Sequence, residues 1–119
     1  MGSEFEQRLA KVRHRFAGSL TGKINDSVAA LPQLSADASD ARAEVDTVYR
    51  RIHGICGVAP TVGFIATGKA AREAEVALIG PMRARRGLSA TESAVLERAL
   101  DALAKAAELE LEMMHARGG

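Results

Sequence analysis

A histidine, His53, lies among glycines in a segment with helical periodicity, RIHGICGVAP. A histidine side chain exposed to water is largely neutral at pH 7, so its ring can attack an electrophilic phosphorus without a separate general base. The phosphorus–nitrogen bond that forms is labile, which suits a group that has to be passed on. His53 is therefore a candidate phosphoryl carrier.

Two glycines near this histidine, Gly54 and Gly57, favour a role in chemistry over one in packing alone. A glycine inside a helix costs about 0.5–1 kcal/mol relative to alanine, so helix stability by itself would favour alanine at both positions. The missing side chains would let the backbone or a bulky group of a partner approach the imidazole closely. Tyr49 and Arg50 lie one turn earlier on the same surface of the helix.

Cations near the histidine would support phosphoryl transfer. This reaction depends mainly on positioning and on neutralising negative charge, so a carrier needs little beyond a reachable histidine and nearby positive groups. Arg50 shares the helical face of His53, and Lys69 and Arg72 follow in the next helical segment. Any of the three could supply the charge.

Metal binding and nucleophilic catalysis by cysteine have less support. Cys56 follows His53 by three residues, but it is the only cysteine, and no second histidine or carboxylate lies at ligand spacing nearby. A helix interior also offers no oxyanion hole for a Cys–His pair. We therefore expect no metal site and interpret Cys56 as a small packing residue, with His14 and His115 as solvated surface residues.

Four segments with apolar residues at every third or fourth position must place these side chains. They run from about residue 7 to 31, 41 to 59, 63 to 79 and 89 to 115. The expected apolar stripe of the second is Ala41, Val45, Val48, Ile52, Ile55 and Ala59, and that of the fourth is Val95, Ala99, Ala102, Ala106, Leu109 and Met113. No segment alternates like a strand, so the sequence predicts an all-α protein, an antiparallel up-down four-helix bundle.

Capping and stop residues suggest where these helices begin and end. The expected signals are a cap at Asp37 or Ser39 for the second helix, a stop at Gly80 and Pro81 for the third, and a capping box of Ser89 and Glu92 for the fourth. The run MRARRG at residues 82–87 is more typical of a polar connection than of a phosphate-binding loop.

Composition argues against several classes of protein. The 119-residue chain has a formal net charge of +1 and 3% aromatic residues, which indicates no partner among nucleic acids. No run has the length and apolarity of a membrane span, and the N-terminus lacks a signal-peptide pattern. The single cysteine fits a reducing compartment. We expect a cytoplasmic monomer with one domain over residues 6–117, preceded by a vector-derived stretch, MGSEF, at residues 1–5.

The segment around His53 resembles the signature of histidine-containing phosphotransfer (HPt) domains. In that family an aliphatic residue stands two positions after the phosphorylated histidine, a glycine four positions after it, and a Gly-Phe pair and then an Ala-Glu or Leu-Glu pair further on. The matching residues are His53, Ile55, Gly57, Gly63, Phe64, Ala74 and Glu75. The chain departs from the pattern at Cys56, where the family often has lysine or alanine, and at Pro60, which shortens the helix.

The resemblance implies a carrier that receives a phosphoryl group from a histidine kinase, a hybrid kinase or a receiver domain and passes it to the aspartate of a response-regulator receiver domain. It implies no cofactor in this chain, since magnesium would belong to the acidic pocket of the receiver domain. It also implies a docking surface around the histidine. The expected residues of that surface are Tyr49, Arg50, Gly54, Cys56, Gly57, Phe64, Ile65, Gly68, Lys69 and Arg72.

A second hypothesis is a helical module that binds a receiver domain or a kinase without accepting phosphate. Cys56 motivates it, because a cation beside the phosphoryl group is missing there. The dimerisation domain of a histidine kinase is a weaker alternative, since an acidic residue usually follows its histidine whereas Gly54 follows here. That domain also needs two chains to complete four helices.

Overall fold

Five helices make up the regular structure of residues 3–117, the part of the chain that the computed structural model describes. Their bounds are Glu4–Ala29 for α1, Leu31–Leu34 for α2, Ala41–Val58 for α3, Ile65–Ala84 for α4 and Ala90–Ala116 for α5. The protein is all-α, as predicted. The most extensive packing is of α4 against α3 and α5, and α1 packs mainly on α5. Over the described range, no helix is both long and apolar enough to cross a membrane.

The N-terminal end of α1 lies within the stretch that we interpreted as vector-derived. Met1 and Gly2 fall outside the described residues, but Ser3 caps the helix, since its Oγ accepts a hydrogen bond of 3.1 Å from the backbone N–H of Glu6. At its other end α1 stops at Ala29, earlier than expected. Pro32 then lies in the first turn of α2, where its missing N–H costs no helical hydrogen bond.

The predicted apolar stripe of α3 is confirmed at every position. Its six residues are all buried, and Val48 and Ile52 are completely inaccessible to solvent. Four of the six, Val45, Val48, Ile52 and Ile55, are large and β-branched. They recur at alternating spacings of three and four, so they form one continuous face against the rest of the core. That face fixes the rotation of α3 about its own axis and therefore the direction of every other side chain on it.

The predicted stripe of α5 is wrong by one position. The buried residues are Leu96, Leu100, Leu103 and Ala107, whereas Val95, Leu109 and Met113 are 42%, 60% and 47% exposed. Both stripes have helical spacing, but the observed one carries three leucines where the predicted one has a valine and two alanines. Leucine buries more apolar area than alanine, so the observed face has the larger hydrophobic driving force.

The predicted end of the third long helix is also wrong. Gly80 and Pro81 do not stop α4, which continues to Ala84 with Pro81 buried in its last turns. The helix ends instead at Arg85, a residue in the left-handed conformation with φ of 56°. The N–H of Arg85 donates to the carbonyl of Met82 and that of Arg86 to the carbonyl of Pro81, both at 3.2 Å, which is the pattern of a Schellman motif.

The two predicted N-terminal caps had different outcomes. The capping box of α5 is confirmed, because Oγ of Ser89 accepts from the N–H of Glu92 at 3.2 Å and the Glu92 carboxylate accepts from the N–H of Ser89 at 2.9 Å. The cap expected for α3 at Asp37 or Ser39 is wrong. Asp40 occupies the N-cap position there, without a side-chain hydrogen bond.

At one end of the molecule, the chain before α3 meets the chain before α5 in a tight backbone contact, here named the Gly87 connection. The N–H of Ala36 donates to the carbonyl of Leu88 at 3.0 Å, and the N–H of Leu88 donates to the carbonyl of Leu34 at 2.7 Å. A Cβ atom at Gly87 would lie 2.7 Å from the Cα atom of Ala36. Only glycine fits there without movement of the backbone.

Candidate functional site

His53 projects from α3 at the border between the buried and the exposed faces of the helix. Its neighbours Ile52 and Ile55 are 0% and 1% exposed, whereas its own side chain is 64% exposed. Because the two isoleucines are locked in the core, the backbone that carries the histidine has little freedom to rotate. The imidazole is therefore held in a defined place while most of its surface remains open to solvent.

A buried carboxylate on α4 holds one nitrogen of this imidazole. Nδ1 of His53 is hydrogen-bonded to Oε2 of Glu75, whose side chain is only 2% exposed. The other oxygen, Oε1, accepts a hydrogen bond of 2.9 Å from Nη1 of Arg72, one turn earlier on α4. Three side chains from two helices thus form one chain of hydrogen bonds that ends at an exposed histidine. This chain is called the His53–Glu75–Arg72 cluster below.

Glu75 is ionised in this cluster despite its burial. Burial by itself would raise the pKa of the carboxyl group, because the charged form loses its water. The hydrogen bonds from His53 and Arg72, together with their charges, outweigh burial and hold the pKa of Glu75 below its ordinary value. A carboxylate accepts hydrogen bonds and does not donate them, so the bond to His53 requires the ring proton to be on Nδ1.

Cys56 lies beside this cluster as a neutral thiol. Its side chain is partly buried, and burial is the main cause that raises the pKa of the thiol, with the negative charge of Glu75 acting in the same direction. The positive charge of Arg72 only partly offsets these effects. Cys56 therefore brings no charge to the site near neutral pH and contributes apolar contact with the core.

The ring of Tyr49 lies beside the imidazole and nearly parallel to it. The two rings are stacked, with centroids 5.7 Å apart and planes at 14° to each other. Tyr49 precedes His53 by four residues on α3, so the helix itself brings the rings together. An aromatic face attracts positive charge, which makes this stack more favourable when the imidazole becomes cationic.

The surface around His53 beyond Tyr49 is bare, as expected from the glycines. A Cβ atom placed at Gly54 or at Gly57 would meet no atom within 4 Å, so neither glycine is needed for packing inside this chain. Gly68 on α4 differs, because a Cβ there would lie 3.1 Å from Cγ of Pro60. Gly68 thus allows the turn after α3 to pack closely on α4, and it is buried.

The remaining residues predicted for the docking surface divide into exposed and buried ones. Ile65, at the start of α4, is 51% exposed, and Lys69 is exposed one turn later. Arg50 is exposed and forms an ion pair of 2.8 Å with Asp46. Phe64 is only 3% exposed and packs edge-to-face on Phe16, with centroids 5.3 Å apart. Phe64 therefore supports the surface from below instead of lining it.

Sequence reasoning noticed Glu75 only as a family match and missed its contact with His53. A signal was present, because Glu75 interrupts the apolar run of Ala71, Ala74 and Leu78, all of which are buried. A carboxylate on a buried face needs a polar partner, and α3 is the helix that faces it. Val76 was also missed: it is 56% exposed and lies one helical turn after Arg72 on α4.

Comparison with protein-family models, with curated proteins and with solved structures found no match. Among residues 3–117, no three histidine, cysteine, aspartate or glutamate side chains are arranged so that they could hold a metal ion.

Proposed function

We propose that this protein is a histidine phosphotransfer carrier, in which His53 receives a phosphoryl group from a kinase or a receiver domain and delivers it to the aspartate of a response-regulator receiver domain. The observation that carries the proposal is an exposed imidazole whose Nδ1 atom is bound to a buried, ionised carboxylate. The proposal includes the finer fold expectation, an antiparallel up-down bundle of α1, α3, α4 and α5, and a cytoplasmic, monomeric protein.

The hydrogen bond to Glu75 determines which ring nitrogen is the nucleophile. A neutral imidazole carries one ring proton, and Glu75 keeps it on Nδ1. The lone pair is then on Nε2, the nitrogen on the far side of the ring from the buried carboxylate. Because Nδ1 is turned to the buried carboxylate and the side chain is 64% exposed, Nε2 is the nitrogen that a partner would reach.

The bonds and charges of the transfer step balance without a base or a metal ion supplied by this chain. The Nε2 lone pair forms a bond to phosphorus while the bond from phosphorus to the donor's aspartyl oxygen breaks, and the aspartate leaves with the electron pair. The Nδ1 proton stays on the ring, which becomes cationic, and Glu75 balances that charge. In delivery, an aspartate oxygen of the next receiver attacks phosphorus, and the electron pair returns to Nε2.

The surface around the histidine suits a receiver domain. Gly54 and Gly57 leave room for the walls of an acidic pocket, in which the partner holds magnesium. Ile65 and Val76 offer exposed apolar contact, and Lys69 offers positive charge towards an acidic partner.

A phosphotransfer profile tests the proposal. The protein is incubated with candidate phosphorylated receiver domains and active hybrid kinases, and acid-labile label on it is followed over time. We expect label on the wild type and on His14→Gln, a matched control that removes an exposed histidine from α1, and none on His53→Gln. Equal labelling of wild type and His53→Gln would contradict the proposal. Tight binding of a receiver without any labelling would favour the module that binds without accepting phosphate.

A further inference from the structure

Arg72 is placed to act on the reactive histidine through Glu75. Its Nη1 atom is 2.9 Å from Oε1 of Glu75, while Nδ1 of His53 is bound to the other oxygen of the same carboxylate. The Glu75 side chain is 2% exposed, but that of Arg72 is 64% exposed. The arginine thus supplies an external positive charge to a carboxylate that water scarcely reaches.

The protonation state of Glu75 decides where the proton of a neutral His53 lies. If Glu75 is ionised, it can only accept, so the ring proton stays on Nδ1 and the lone pair is on Nε2. If Glu75 is protonated, its O–H donates to Nδ1, and the ring proton must lie on Nε2. In that second state the exposed nitrogen has no lone pair and cannot attack phosphorus.

Burial favours the second state, and two partners oppose it. Burial is the largest influence on the pKa of Glu75 and acts to raise it, and the bonds from His53 and Arg72 act to lower it. Without Arg72, His53 would be the remaining partner in the cluster that can carry a positive charge, and it is the very group whose proton is in question.

We propose that Arg72 is a positioning residue of the phosphotransfer site: by holding Glu75 ionised and its Oε2 atom towards His53, it keeps the ring proton on Nδ1 and the lone pair on the exposed Nε2. This inference rests on the proposed function. It assigns Arg72 a role that the sequence did not distinguish from those of Arg50 and Lys69. Arg50 is paired with Asp46 in its own helix, and Lys69 forms no ion pair within residues 3–117.

The test measures the tautomer of His53 in the full chain. Long-range proton–nitrogen NMR on protein labelled with nitrogen-15 histidine distinguishes a ring proton on Nδ1 from one on Nε2, and the transfer rate is measured on the same samples. The variant is Arg72→Gln. The matched control is Arg83→Gln, which removes the same charge from an exposed position about three turns further along α4. A second variant, Arg72→Lys, keeps the charge and tests rescue.

We expect wild type and Arg83→Gln to hold the proton on Nδ1. In Arg72→Gln the Nε2-protonated form should gain about tenfold or more, the size of effect of a lost charge-assisted hydrogen bond, and the transfer rate should fall with it. Arg72→Lys should recover part of both. Helical circular dichroism should be the same in all four proteins, because Arg72 is largely exposed.

A wild-type tautomer in Arg72→Gln would overturn this inference, whatever its transfer rate, and would leave the proposed function intact if His53 still accepts phosphate. Loss of the tautomer preference in Arg83→Gln as well would also overturn it, since the effect would then be one of general charge. A wild-type protein that is never phosphorylated would refute the proposed function, and the NMR result would still decide the role of Arg72 in orienting the ring.

Discussion

The surface around His53 and the Gly87 connection use the same kinds of residue in opposite ways. Each contains glycine and has an arginine–glutamate pair beside it, Arg72 with Glu75 at the first and Arg86 with Glu92 at the second. A Cβ atom at Gly57 would meet nothing within 4 Å, whereas one at Gly87 would lie 2.7 Å from the Cα atom of Ala36. Glycine near His53 leaves open space at the surface, and glycine at the connection lets two parts of this chain touch.

The two glutamates differ as the two glycines do. Glu75 is 2% exposed and is bound by His53 and Arg72, while Glu92 is 31% exposed and is bound by Arg86 and the backbone of Ser89. The Arg86 hydrogen bond is the main cause that lowers the pKa of Glu92 to about 2. Glu92 secures the start of a helix at the surface, where the cost of its charge is low. Glu75 bears the cost of burial, which its hydrogen bonds to His53 and Arg72 offset.

The largest contrast should come from placing leucine at each glycine. Gly57→Leu should lower the phosphotransfer rate by about 100-fold, because the leucine would displace the partner from the reacting nitrogen. It should not lower the free energy of unfolding, because leucine favours a helix more than glycine does. Gly87→Leu should destabilise the fold by about 3 kcal/mol or more, because the backbone of Ala36 has to move. Urea unfolding and the transfer assay measure the two effects. Normal transfer by Gly57→Leu would contradict the prediction that the partner needs the open space at Gly57.

The next contrast replaces each glutamate by glutamine. Glu75→Gln should slow transfer by about 10- to 100-fold, because the neutral amide no longer balances the charge on the phosphorylated ring. Glu92→Gln should leave transfer unchanged and lower the free energy of unfolding by about 0.5–1 kcal/mol, through a weaker capping interaction and a lost ion pair. Equal transfer rates for the two variants would show that the carboxylate beside His53 has no part in the chemistry.

The smallest contrast concerns acid stability at the start of α5. The pKa of Glu92 in the folded protein, about 2, is below its ordinary value of 4.5. Its contribution to stability is therefore complete above pH 4.5 and is lost as the pH falls from 4.5 towards 2. Since the pair is partly exposed, we expect no more than about 0.5–1 kcal/mol. Urea unfolding of wild type and Glu92→Gln should converge across that range, and a constant difference would contradict the assignment.

The sequence predicted the helical fold best where large residues define one face. The stripe of α3 was correct because Val45, Val48, Ile52 and Ile55 leave no competing face. The stripe of α5 was wrong because alanines and leucines offer two faces one residue apart, and only packing against other helices chooses between them. The end of α4 was missed because arginine, not glycine, adopts the left-handed conformation there.

For the site, the sequence indicated the histidine and its open surface but not the group that orients it. A Cβ atom at Gly54 or Gly57 would meet no other part of the chain within 4 Å, so the open space there could be predicted from the local sequence alone. The contact from His53 to Glu75 spans 22 residues and exists only when α3 and α4 pack in the observed register. Burial of Phe64 likewise depends on its packing against Phe16 of α1.

Phosphorus NMR of the phosphorylated protein, labelled with nitrogen-15 histidine, tests most directly whether Nε2 of His53 carries the phosphoryl group. We expect a single phosphohistidine, with phosphorus coupled to Nε2, that disappears in His53→Gln and is consumed when an unphosphorylated receiver domain is added. Phosphorus on Nδ1 or on another residue, or no phosphohistidine with any kinase or receiver of the source organism, would contradict it.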